Sequence, residues 1–209
     1  MNRFKSKWLA AVALLPLLCL ADAAEFIVTT SLYPPTAGLE QWLYGTTASN
    51  VTARIGSPAD VVGVNCLEFN GTSSVVEAPC ALNYGSANYK LSAWFKKVTG
   101  ASSLEMILDA RDIDNDGIRL LTVNNRVYAS HNEDDLISDL FSYDEWHFFV
   151  FERKGGSIYL TLDGGTTKST SITSGDINVT TPAIIGRATY TAAQYLTGRI
   201  AHVKSEGAG

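Results

Sequence analysis

Apolar residues in this chain alternate with polar ones or come in short β-branched and aromatic runs, each cut off by Gly, Asn, Asp or Ser. Ser157–Asp163 shows the pattern plainly. Ile158, Leu160 and Leu162 share one face, and Tyr159, Thr161 and Asp163 share the other, as in a strand buried on one side. The turn pairs Asn70-Gly71, Asp116-Gly117, Asn124-Asn125 and Gly155-Gly156 each separate two apolar runs, as hairpin loops do. A chain written this way folds by pairing short antiparallel strands.

Strands are expected at 25–30, 41–44, 66–69, 74–77, 89–96, 104–110, 118–123, 126–130, 146–152, 157–163, 169–173, 183–186 and 195–204. The 146–152 run is apolar on nearly both faces, which predicts a central strand covered twice. Only the acidic stretch 133–141 has helix-like density. So many short strands in one chain predict an all-β, antiparallel two-sheet sandwich or jelly roll. With 46% hydrophobic and 18% charged residues, the chain is globular rather than disordered. A formal net charge of −5 opposes a nucleic-acid partner.

The first residues read as an address. Arg3, Lys5 and Lys7 precede an apolar run from Leu9 to Leu20, and Ala21-Asp22-Ala23 supplies a small-x-small cleavage pattern. That run is well short of the roughly 20 residues needed to span a bilayer. The expectation is a signal peptide over 1–23 and one domain over 24–209, exported to the periplasm, the cell surface or the medium, with no membrane span. Cys66 and Cys80 then remain, an even number in an oxidising compartment, and are expected to form a disulfide. Two buried thiols are the alternative.

Six segments in order resemble the laminin-G-like jelly roll of the concanavalin A-like superfamily. Leu67-Glu68-Phe69-Asn70-Gly71 with Ser74-Val75-Val76 resembles the family's early Phe-Asn-Gly turn. Leu91 to Lys96 is similar to its tryptophan-centred strand, and Asp144 to Val150 to its Trp-His strand. Ile158 to Gly164, Ile184-Ile185-Gly186 and Leu196 to Val203 resemble the strands that follow. A looser likeness at Gly38 to Trp42 would be the opening strand. The resemblance implies a concanavalin A-like sandwich over about 38–204 and a module that binds carbohydrate or protein, in some members with calcium. It names framework residues, so it leaves the ligand open.

Calcium has one candidate loop. Asp112, Asp114 and Asp116, with Asn115 between and Gly117 after, place oxygen ligands at alternate positions before a turn. The twelfth position is Val123 rather than Glu, so this is no EF-hand, and an acidic hairpin turn is the alternative. The calcium-binding pentraxin relatives carry acids after the Ile-Gly strand, where this chain has Arg187-Ala188-Thr189-Tyr190. Glu133, Asp134, Asp135 and Asp139 read as a solvated cluster.

Enzyme readings lack their parts. The alternating carboxylates of the superfamily's β-glucanases have no match among Glu105, Asp109 and Asp112, and no acid–base pair can be named. His147 and His202 fall at framework positions, and His131 is expected in a polar loop. Tyr128, Tyr190 and Tyr195 are expected near loops, where their rings could stack on a sugar or else cap the core. The reading is an exported, non-catalytic module that binds a glycan or glycoprotein, with calcium as a candidate cofactor. The alternative is a decorating protein of a cell surface, appendage or virion that works through protein contacts and self-association.

Overall fold

The computed structural model describes residues 26–28, 47–49, 52–54, 66–114, 116–190 and 193–207, with backbone alone at 26–28, 47–49, 52–54, 79 and 80. The leader assigned to 1–23 and the strand expected at 41–44 lie outside the described residues.

Fifteen strands follow in order: β1 Phe26–Val28, β2 Thr47–Ser49, β3 Thr52–Arg54, β4 Cys66–Asn70, β5 Val75–Ala81, β6 Tyr89–Lys97, β7 Leu104–Arg111 and β8 Gly117–Val123. Then come β9 Arg126–His131, β10 Asp134–Leu140, β11 His147–Lys154, β12 Ser157–Leu162, β13 Lys168–Ser171, β14 Pro182–Ile185 and β15 Thr197–Gly207. They form two antiparallel sheets. One runs β13-β12-β11-β6-β15-β4-β3, with β1 also paired to β15, and the other runs β10-β9-β8-β7-β14-β5-β2. Among the described residues there is no helix, and so none long and apolar enough to cross a membrane.

Period-two burial decides which faces meet. In β12 the buried residues are Ile158, Leu160 and Leu162, as the sequence requires. Phe69, Phe95, Phe149 and Phe151 are at most 2% exposed in the layer between the sheets, each contributing about 2–3 kcal/mol by leaving water. β11 lies inside its sheet between β6 and β12. It is buried on one face only, because Phe148 and Val150 remain half-buried.

Two more expectations need correcting. The acidic stretch 133–141 is strand β10, in which Leu136 and Ser138 are buried and their neighbours exposed. Its cross-strand partners on β9 override the local helix-like density. Asn70-Gly71 is not a hairpin, since β4 and β5 belong to different sheets. The Asn70 side-chain oxygen accepts the amides of Thr72, Ser73 and Ser74 at 2.9–3.1 Å, so the chain turns sharply from one layer to the other. Asn124-Asn125 and Gly155-Gly156 do close the hairpins β8–β9 and β11–β12. Gly186, after β14, has φ +86°, and a Cβ there would sit 2.3 Å from the Phe69 ring. That close approach is the physical reason for the Ile-Gly pair.

Candidate functional site

Where the sandwich ends near residues 98–103, three segments converge. They are the β6–β7 loop, the β4–β5 turn and residues 194–197 leading into β15. They enclose a cleft of about 510 Å³ lined by Thr99, Ser102, Gln194, Tyr195 and Thr197, with Glu105 at its base. Backbone pairing holds the walls: Gly71 donates to the Leu196 carbonyl at 2.8 Å and Met106 to the Gln194 carbonyl at 2.8 Å. Gly71 and Gly100 have φ of +77° and +82°, so the chain turns there without a side chain entering the opening.

Glu105 and Lys97 are both 0% exposed. Lys97 Nζ lies 3.9 Å from Glu105 Oε2 and donates to Thr122 Oγ1 at 3.0 Å. The Ser102 amide donates to Glu105 Oε1 at 3.1 Å, while Oε2 has no hydrogen-bond partner among the described residues. Burial pushes the Glu105 carboxyl up, against Thr197, Lys97 and Ser102, which favour its charge. Burial likewise pulls the Lys97 ammonium down, against the attraction of Glu105. On the shoulder, Thr99 donates its amide (3.3 Å) and its hydroxyl to the exposed Asp144 carboxylate. The Thr99 hydroxyl and amide, with a weaker pull from Lys96, hold Asp144 below its ordinary pKa.

The three tyrosines are separated. Tyr195 lines the cleft. Tyr128 is on β9 rather than in a loop, its hydroxyl bound to Asp135 and its ring covered by the Arg119 guanidinium at 5.2 Å. Tyr190 is 47% exposed. Its neighbour Thr189 donates its amide to Asp109 Oδ2 at 2.8 Å, folding this loop over β7.

The acidic loop expected to hold calcium lies elsewhere. Asp112 follows the far end of β7, whose eight residues span about 25 Å, so it faces the opposite end of the sandwich from Tyr195. Asp112 Oδ1 accepts the amides of Asp114 and Asp116 at 3.0 and 3.1 Å, which closes the turn. Asn115 lies outside the described residues. Among the described residues no three His, Cys, Asp or Glu side chains are grouped so as to hold a metal ion. Cys66 is buried on β4, and the Cys80 side chain lies outside the described residues.

Three placements escaped sequence reasoning. His131 is not in a polar loop. It is fully buried at the end of β9, where Nδ1 accepts from Tyr89 Oη at 3.0 Å and Nε2 donates to the Gly175 carbonyl at 2.8 Å. Asp134 is a loop clamp, accepting the amides of Thr173 and Ser174 at 2.8 and 3.0 Å. Glu105 and Lys97 come together only because β6 and β7 face each other across the sandwich. A lysine just past one expected strand and a glutamate near the start of the next were the only available signal.

The profile of the Laminin_G_3 family, described as the concanavalin A-like lectin/glucanases superfamily, matches residues 70–205. The chain belongs to this family. No curated protein matches it.

Solved structures share the fold at low identity. Domain 4 of AbnA, a GH43 extracellular arabinanase from Geobacillus stearothermophilus solved with arabinotriose, is 12% identical with a TM-score of 0.55, covering 88% of this chain and 82% of that one. The binding domain of Paraclostridial Mosquitocidal Protein 1 is 12% identical, TM-score 0.61, over 77% of this chain and 43% of that one. The botulinum neurotoxin serotype D ligand-binding domain, solved with N-acetylneuraminic acid, is 16% identical, TM-score 0.56, over 75% and 42%. The chain thus spans less than half of either toxin chain.

Proposed function

We propose that this chain is an exported, non-catalytic carbohydrate-recognition module whose sugar site is the cleft beside Tyr195. The observation behind this is the composition of the lining. Thr99, Ser102, Thr197 and Gln194 line the cleft together with one aromatic residue, Tyr195. A sugar offers the matching chemistry, with hydroxyls to bond and a C–H face to pack on a ring. A relative of the same fold crystallised with arabinotriose supports the class of ligand. Among the described residues Glu105 is the only carboxylate lining the cleft, and glycoside hydrolysis ordinarily needs two, which favours binding over cleavage. Calcium at Asp112, Asp114 and Asp116 and a Cys66–Cys80 bridge belong to this proposal as secondary features.

The test is a glycan-array screen of the exported protein, run in calcium and again in chelator, with arabinotriose included. The expected result is binding of a defined sugar that weakens at least tenfold in Tyr195→Ala. No binding in either condition, or binding indifferent to Tyr195→Ala, overturns the reading. Loss in chelator assigns the acidic loop, and free thiol without reduction removes the bridge.

A second reading, protein contact, draws on a different surface. On the outer face of the second sheet the pairing registers set Leu104, Val123, Arg126 and Leu140 in one row and Met106, Leu121, Tyr128 and Ile137 in the next. Ile137 and Leu140 are 50% and 65% exposed. Met106 and Leu121 are buried beneath Ala188, so the exposed apolar surface is the β10 edge at Ile137 and Leu140, and such a patch can mark a contact surface. Self-association that disappears in Ile137→Asp, measured by sedimentation, would favour it; a monomer at high concentration would oppose it.

A further inference from the structure

The cleft is polar, yet its charges are one-sided. Among the described residues no Lys, Arg or His lines it. Lys97 sits under Glu105 at 3.9 Å and is fully buried, so a ligand cannot use it as a counter-ion. Charged or neutral, the Lys97–Glu105 pair presents no net charge to the opening. Beside the cleft, though not among its lining residues, stands the exposed Asp144 carboxylate. Thr99 holds it through its amide and hydroxyl and keeps it ionised well below neutral pH. Lys96 is close enough to favour that charge and, like Asp144, does not line the cleft. The chain as a whole is acidic, at −5.

An anionic ligand entering here would give up hydration without gaining a cation. A buried carboxylate or sulfate without a paired charge is strongly disfavoured. Hydroxyl groups meet no such penalty, because Ser102, Thr197, Gln194 and Tyr195 can donate to them and accept from them.

We infer that the cleft selects neutral saccharides and rejects those bearing carboxylate or sulfate. This rests on the sugar reading above and sharpens it to a ligand class.

The experiment uses the full exported chain and matched probes. These are glucose, galactose and mannose oligosaccharides, each beside its uronic acid counterpart in which the C6 hydroxymethyl is a carboxylate. Calorimetry at low salt should give at least tenfold weaker binding for the uronic acid member of any pair whose neutral member binds. Equal or tighter binding of the uronic acid overturns the inference while leaving sugar recognition intact. Binding of neither member of any pair overturns the sugar reading, and this inference with it.

A second variant supplies the missing cation. Ala101→Lys places an ammonium on the lining without removing a side-chain hydrogen bond. It should raise uronic acid affinity at least tenfold relative to that of the neutral counterpart. A uronic acid affinity unchanged in Ala101→Lys, with an unaltered melting temperature, would also overturn the inference.

Discussion

Replacing Lys97 by Met tests the cleft floor most directly, because the structure says what becomes of its partner. Methionine fills most of the lysine stem's volume but leaves Glu105 buried with no cation. The carboxyl then escapes burial of its charge by holding a proton. Its ordinary pKa is 4.5. Keeping such a group protonated at pH 7 costs about 3.4 kcal/mol, at 1.36 kcal/mol per tenfold in proton activity. That figure is an upper limit, within the range of about 3–5 kcal/mol for breaking a buried pair. The sign in pH follows from linkage. In Lys97→Met the folded chain retains a proton that the unfolded chain releases above the ordinary pKa, so stability declines as pH rises. At pH 5 the same cost is only about 0.7 kcal/mol. Urea unfolding read by tryptophan fluorescence separates these cases. With a slope of about 2 kcal/mol per molar, the midpoint should drop by about 1.7 M at pH 7 and by about 0.3 M at pH 5. Lys97→Met with Glu105→Gln removes both charges and should return to within about 1 kcal/mol of the parent. A loss below about 1 kcal/mol at pH 7, or a loss independent of pH, would refute the assignment of a buried pair.

Three further outcomes are expected from the opposite end and the core. Burial raises the Asp134 carboxyl, but hydrogen bonds from Ser174 and Thr173 outweigh this and bring it from 3.8 to about 2. Its stabilisation is complete above 3.8 and is lost as pH falls through 2, so Asp134→Ala should cost about 1–2 kcal/mol at pH 7, allowing for partial exposure, and almost nothing at pH 2. Burial pulls the His131 imidazole below 6.5, although the Gly175 carbonyl and nearby Asp134 favour its charge. Its contribution is therefore present above 6.5 and lost as pH falls, and His131→Gln should flatten the decline in stability measured between pH 6.5 and 5. Gly186→Ala places a Cβ 2.3 Å from the Phe69 ring at φ +86°, and denaturant unfolding should show a loss of about 3 kcal/mol.

Alternation alone made most of the fold readable. Ile158, Leu160 and Leu162 name their own buried face, and Gly155-Gly156 names its hairpin, because strand period and turn geometry are local properties. The family resemblance could be read for the same reason, since Phe69, Trp94 and Gly186 sit in short contiguous motifs. Residues 133–141 failed the local reading because Leu136 and Ser138 take their direction from β9, not from their neighbours in sequence. His131 failed it because its partners, Tyr89 and Gly175, lie 42 and 44 residues away.

The candidate site divides along the same line. Tyr195 could be picked out as an aromatic beside a loop, and Asp112–Asp116 as an acidic turn, from sequence spacing alone. That they occupy opposite ends of the sandwich is decided by the direction of β7. That Tyr128 is covered by Arg119 is decided by the β8–β9 register. The Lys97–Glu105 pair, and a cleft lining without a cation among the described residues, exist only once the two sheets pack. The sequence by itself determined what each strand buries, because that depends on residues two apart. The tertiary structure decided which side chains line the cleft, because that depends on groups brought together from opposite layers.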